Sequence, residues 1–188
     1  MKIFAVLGKS GSGKGTQVER LAKRYNLRII SSGELLRARA KVDDFAGRQI
    51  KAVLDRGGLI PTPIIFHLWL HELETIQGNS DLGGIIFEGS PRKVYEAHLL
   101  DEALGFYGLA GDFKVLYLNL SDEEAIRRLL ERERHDDTQE AIQERLRWYR
   151  QEVEPVVEYY RKKGNLIEIN GEQTMDEVEQ EILQKLAL

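Results

Sequence analysis

Cysteine is absent from the 188 residues, which removes disulfides, thiolate metal sites and thiol nucleophiles at once. Histidine is scarce, with four residues. His67 and His71 stand one helical turn apart, but no glutamate joins them in an HExxH pattern, so they read as ordinary helix residues. No apolar run approaches the roughly 20 residues of a membrane-spanning helix, so no membrane partner is expected. Basic residues are not in excess: 27 lysines and arginines face 31 aspartates and glutamates, a formal charge of −4, and the global basic signature of a nucleic-acid binder is missing. There is no internal repeat, low-complexity tract or linker. The chain opens directly on an apolar β pattern, Lys2-Ile3-Phe4-Ala5-Val6-Leu7, without the cleavage site of a signal peptide, which makes the cytoplasm the expected setting.

What is present is the composition of a globular domain, 42% hydrophobic and 31% charged, at a length that suits one domain over residues 1–188. Short β-rich segments are read at Lys2 to Leu7, Leu27 to Ser31, Gly84 to Phe87, Phe113 to Leu118 and Leu166 to Ile169. Helical patterns alternate with them: Gly15 to Tyr25, Gly33 to Ala40, Val42 to Arg56, Thr62 to Gln77, Lys93 to Leu104, Asp122 to Arg132, Thr138 to Lys163 and Thr174 to Leu186. That alternation predicts an α/β fold, a five-stranded parallel sheet flanked by helices. Thr62 before Pro63 reads as a capping hydroxyl followed by a proline at the first helical position, and Ser121 with Glu124 as a capping box. Gly164 should end the long helix, and Pro155 inside it should kink it without breaking the domain.

The strongest motif is Gly8-Lys9-Ser10-Gly11-Ser12-Gly13-Lys14-Gly15-Thr16, set where the first strand ends and a helix begins. Its glycines permit positive φ and bring backbone N–H groups close to phosphate oxygens. The helix that follows turns its positive end to the same anion, and Lys14 adds a mobile charge. This predicts a P-loop, nucleoside-triphosphate-hydrolase-like three-layer fold. A hydroxyl usually follows the lysine as a magnesium ligand, but Gly15 stands there and Thr16 comes one residue later. The metal is therefore expected to be held mainly by phosphates and water. The arginines cluster between Arg127 and Arg150, which points to a small polyanion.

Four further segments decide among P-loop proteins. Ile30-Ser31-Ser32-Gly33-Glu34-Leu35-Leu36-Arg37, Gly58-Leu59-Ile60-Pro61, Phe87-Glu88-Gly89-Ser90-Pro91-Arg92, and the ordered set Arg128, Arg132, Arg134, Asp136, Asp137 and Arg145 run along the chain. With the phosphate loop, they resemble the adenylate kinase family of nucleoside monophosphate kinases, and the resemblance covers the chain from end to end. It implies reversible phosphoryl transfer from Mg·ATP to AMP, giving two ADP. The donor ATP would be held by Gly11, Ser12, Gly13, Lys14, Gly15, Thr16, Arg128, Arg132 and Gln173. AMP would be held by Ser32, Gly33, Arg37, Gly58, Leu59, Ile60, Gly89, Arg92, Glu96, Arg134 and Arg145. Lys14, Arg92, Arg132, Arg134 and Arg145 would be catalytic, because charge spreads over the transferred group and arginines must converge on it. Glu88, and with it Glu34, would order the water shell of Mg²⁺. Arg127, Arg147 and Arg150 are read as surface residues.

The resemblance also implies a monophosphate-binding helical insertion at about 31–61 and a lid. Only Glu133 separates Arg132 from Arg134, so the lid is expected to be minimal, about 132–135. Ser10 and Ser90 replace a proline and a phenylalanine of the family pattern. Glu96 stands where the family has a glutamine that reads the adenine edge, and an ionised carboxylate only accepts hydrogen bonds, which would suit guanine better. Ser32 and the Gly58 to Ile60 backbone favour AMP. The alternatives are a UMP/CMP or GMP kinase, a P-loop kinase of a small metabolite, and a non-catalytic nucleotide-binding module. The oligomeric state is not legible.

Overall fold

In the computed structural model, which describes residues 1–55, 60–76, 81–132 and 138–186, the strands form one parallel sheet. They are β1 (Lys2–Gly8), β2 (Leu27–Ser31), β3 (Gly84–Glu88), β4 (Phe113–Asn119) and β5 (Leu166–Asn170), in the order β2-β3-β1-β4-β5. Ala5 of the central strand lies opposite Phe87 and Val115. Because a parallel sheet is covered on both faces, its central strands can be apolar throughout, as β1 is from Ile3 to Leu7.

Alternate residues of β1 serve two cores. Ile3, Ala5 and Leu7 pack with Ile85, Phe87 and Val115 under α4 (Thr62–Ile76), α5 (Val94–Phe106) and α8 (Glu154–Lys163). Phe4 and Val6 pack with Ile86, Leu116 and Leu118 under α1 (Lys14–Tyr25) and α9 (Met175–Leu186). Thus α1, which follows β1, and α5, which follows the neighbouring β3, cover opposite faces. The carboxyl ends of β1 and β3 therefore flank a crevice of the kind in which open α/β sheets bind ligands. A third cluster joins α6 (Asp122–Glu131) to α7 (Gln139–Trp148) through Ala125, Leu129, Ile142 and Leu146. The remaining helices are α2 (Ser32–Ala40) and α3 (Phe45–Leu54).

Three local expectations are corrected. Helix α3 begins at Phe45, not Val42, because the Asp44 carboxylate accepts from the Gly47 amide and pairs with Arg39. Thr62 lies inside α4, whose first amides are taken by the Pro61 carbonyl, and its hydroxyl donates to Glu96 at 3.2 Å in place of capping. The Ser121 hydroxyl does cap α6 by accepting from the Glu124 amide, but the other half of the box is supplied by Glu172, which accepts from the Ser121 amide at 2.9 Å. Glu124 is instead gripped by Arg127 and Arg128, which pull its carboxyl down to about 2. Pro155 does not break the run from α7 to α8. The run loosens into a π turn, Tyr149–Val153, just before the proline. Gly164 ends α8 at φ 78°, as expected.

Candidate active site

The loop after β1 is shaped by two glycines. Gly11 has φ 86°, and a Cβ there would lie 3.1 Å from the Ala125 carbonyl oxygen of α6. Gly13, at φ 83°, caps α1, and a Cβ would meet Met175 of α9 at 2.7 Å. Both positions need positive φ and a missing side chain. The first turn of α1 has no acidic residue and no side-chain cap, so its amides are left to an anion.

Lys14 folds back over this loop and donates to the carbonyls of Gly8 at 2.6 Å and Lys9 at 2.7 Å. Burial brings its pKa down from 10.5 to about 8; Arg92 and Arg132 push it the same way, and Glu88 opposes them. Two arginines and one carboxylate thus converge on the loop lysine. The Glu88 carboxylate, at the end of β3, is 3.4 Å from where a Cβ of Gly15 would stand. Thr16 is exposed on the first turn of α1.

The lysine opens into a cleft of about 490 Å³ lined by Gly8, Ser10, Lys14, Gly89, Arg92, Arg145 and Trp148, among others. Arg92 is fixed in three ways. Its Nε donates to the Gly89 carbonyl at 2.8 Å, its guanidinium carbon stands 5.9 Å from the Trp148 ring centre, and its backbone amide donates to Glu96 at 2.8 Å. Arg145 and Trp148, three residues apart on α7, form the opposite wall. Two grooves of about 580 and 620 Å³ are larger but lie away from Lys14. One is lined by Glu168, Glu172 and Glu181 and the other by Glu34 and Glu72, carboxylates that would repel a polyphosphate.

On the acceptor side, Arg37 is exposed and its guanidinium lies against Gly33, where a Cβ would come within 3.0 Å. The Ser32 hydroxyl shares a hydrogen bond with Ser90 and accepts from the indole of buried Trp69 at 3.1 Å. Glu96 is 7% exposed, and both its oxygens have donors: the Thr62 hydroxyl and the Arg92 amide. The residue expected to read a base therefore also holds the Arg92 loop to α4 and α5.

Other candidates stand apart from the cleft lining. Arg128 donates from Nε to Glu124 at 2.6 Å; its buried Nη1, like the buried Ser12 hydroxyl, has no hydrogen-bond partner among the described residues. The Gln173 amide is taken up by the Asn170 carbonyl and Glu181. Glu34 is exposed in the groove beside Arg28 and Glu72. Ile60 is half-buried next to Pro61. Gly58, Leu59, Arg134 and the lid residues 133–135 lie outside the described residues, as do Asp136 and Asp137. Lys9, Trp69, Asp122 and Trp148 were not singled out from sequence, because their partners are far along the chain and no local spacing marks them.

A central parallel sheet, a glycine loop opening onto a helix N-terminus, and a lysine in that loop define a P-loop nucleotide-binding protein. Residues 6–165 match the family model described as adenylate kinase. The chain is 37% identical over 187 residues to an adenylate kinase of Azobacteroides pseudotrichonymphae genomovar. CFP2, covering 97% of this chain and 96% of the relative. It is 38% identical over 176 residues to adenylate kinase 1 of Nostoc sp. (strain PCC 7120), covering 94% of each. It is 40% identical over 185 residues to an adenylate kinase of Synechococcus sp. (strain JA-2-3B'a(2-13)), covering 96% of this chain and 93% of that one. The chain belongs to the adenylate kinase family.

Proposed function

We propose that this protein is an adenylate kinase that transfers the γ-phosphoryl group of Mg·ATP to AMP, giving two ADP. The observation that carries the reading is the convergence of Lys14, Arg92 and Arg145 on one cleft, with Glu88 beside the loop. An AMP phosphate oxygen attacks the γ-phosphorus, the bond to the bridging oxygen of ADP breaks, and no proton need be exchanged. The protein's task is to align the two nucleotides and to neutralise the charge spreading over the group in flight.

In this reading Lys14 leaves the Gly8 and Lys9 carbonyls for the β- and γ-phosphates. The α1 amides cradle the triphosphate, and Arg128 and Arg132 hold it from α6. Arg92 and Arg37 clamp the acceptor phosphate, because a guanidinium fork meets two phosphate oxygens at once. Arg145, with Arg134, bridges the two nucleotides from the other wall. Ser32 and the Gly58 to Ile60 segment serve the acceptor base. Glu96 acts on the acceptor through the Arg92 amide.

Magnesium, when bound, would supply positive charge that offsets the charge of the polyphosphate. The described residues contain no group of three or more histidine, aspartate or glutamate side chains that could chelate an ion alone. The ion would be carried by phosphates and water, and Glu88, whose carboxylate lies beside Gly15 of the loop, would accept from its water shell.

Incubating the protein with Mg·ATP and AMP, CMP, UMP or GMP, and resolving the products by chromatography, tests the reading. ADP formed fastest with AMP is expected; ADP only in step with inorganic phosphate, whatever the monophosphate, would contradict it.

Two further outcomes follow from the site. Glu96→Gln keeps an acceptor for the Arg92 amide and a partner for Thr62, so the ranking of AMP over GMP should change less than about threefold in kcat/KM. A gain of tenfold or more for AMP would mean that the carboxylate faces the base. Lys14, at about pKa 8, is part neutral near pH 8 in the free protein. A group lowered in this way penalises the folded state fully below pH 8, and the penalty fades as pH rises from 8 toward 10.5. A polyphosphate reverses the shift, so nucleotide binding at pH 8 should take up about half a proton. Calorimetry in buffers of different ionisation enthalpy would detect this, and Lys14→Met should abolish it.

A further inference from the structure

The two walls of the cleft belong to segments far apart in sequence, the phosphate loop and the α7–π arm that carries Arg145, Trp148 and Tyr149. Asp122, the first residue of α6, joins them. One of its carboxylate oxygens is 2.5 Å from Lys9 Nζ, and the other pairs with Arg150 in the π turn. Lys9 Nζ also donates to the Leu120 carbonyl at 2.8 Å. The backbone carbonyl of this same Lys9 accepts from Lys14 Nζ at 2.7 Å and from the Ser12 amide at 3.2 Å. The side chain of Lys9 thus anchors, through the β4–α6 junction, the peptide group on which Lys14 rests.

A surface ion pair would mean little, but the Lys9 side chain is only 12% exposed, and its ammonium depends on Leu120 and Asp122 for solvation. Asp122 sits at a helix N-terminus, where negative charge is favoured. Burial alone would raise its pKa, but the paired Lys9 ammonium and Arg150 guanidinium outweigh burial and hold it below the usual carboxylate range. It is therefore ionised at neutral pH.

We propose that Lys9, Asp122 and Arg150 form an ionic latch that fixes the phosphate loop against the α7–π arm, so that Lys14 and Arg145 keep the separation that in-line transfer requires. The three are positioning residues, and the inference rests on the functional reading above. Small displacements of reacting groups are costly in rate, so the latch should be visible in kcat.

The test measures kcat, KM for AMP and thermal midpoint for Lys9→Met, Asp122→Asn, Arg150→Gln and the double variant Lys9→Met/Asp122→Asn, each well below its midpoint. We expect Asp122→Asn to lose about tenfold in kcat with KM for AMP within twofold, and Arg150→Gln to lose about threefold. The double variant should be no slower than the worse single variant, because both changes break one unit. Arg150 is half-exposed, so its variant folds and decides the matter if Asp122→Asn does not. Losses within twofold for both Asp122→Asn and Arg150→Gln, in a parent that makes ADP, would overturn the latch. Losses that multiply in the double variant would do the same. A parent that makes no ADP would remove the functional reading first, and this inference with it.

Discussion

Replacing Lys14 by alanine is expected to lower kcat at least about a hundredfold, the effect of removing one strong electrostatic contact to a developing charge. In the free protein the ammonium rests on two carbonyls of its own loop and is held well below the ordinary lysine pKa. It is therefore poised to gain from a phosphate partner. Glu88 cannot substitute, being negative, and Arg92 is fixed on Gly89 in the cleft lining. Lys14→Arg should rescue little, because the guanidinium is larger and planar and the loop carbonyls fit a compact ammonium. Steady-state ADP formation from saturating ATP and AMP gives the number. A kcat within threefold of the parent would mean that the loop is not where the phosphoryl group moves.

Truncating Arg92 to alanine is expected to cost about a hundredfold in kcat/KM for AMP, while the dissociation constant of ATP changes less than about threefold. The side chain is pre-set for an anion: its Nε is fixed on Gly89, its plane neighbours Trp148, and its backbone is tied to Glu96. Arg37→Ala should show the same split with a smaller loss, since that arginine is exposed on α2. Because Arg92 also pushes Lys14 toward its neutral form, Arg92→Ala should reduce the proton uptake seen on binding at pH 8. Equal losses for both nucleotides would contradict the division of the site into donor and acceptor sides.

The fold was legible wherever local pattern and tertiary context agree. Strand β2 runs from Leu27 to Ser31 as read, and β1, β3, β4 and β5 each extend one residue further than expected. Such strand runs are marked by apolar residues on both faces, a signal that survives without knowledge of neighbours. Side-chain destinations were less legible. The Thr62 hydroxyl goes to Glu96, 34 positions away, and the partner of the Ser121 amide is Glu172, 51 positions away, so short-range capping rules could name neither. Pro155 was correctly read as tolerated, but the way it is accommodated, a π turn, depends on Tyr149 and Val153 being drawn into the core under β1.

The site was legible to the same degree. The glycine loop, Lys14 and Arg92 announce themselves by type and spacing, and the cleft unites them with Arg145. Lys9 carries no local mark of its role, because its partner carbonyl at Leu120 is 111 residues distant. Trp69, whose indole orients Ser32, and Trp148, which flanks Arg92, likewise meet partners that no local spacing marks. Gln173 carries no visible sign of its commitment to Asn170 and Glu181 until α9 is folded beside β5.

The central claim is that the group transferred is the γ-phosphoryl of ATP and that its destination is AMP. Supplying ATP labelled in the γ-phosphate together with unlabelled AMP, and following the label at early times, tests it most directly. Label appearing in the β-position of ADP, one per ATP consumed and with negligible inorganic phosphate, is the predicted result. Label released as inorganic phosphate at the same rate with and without AMP would contradict it.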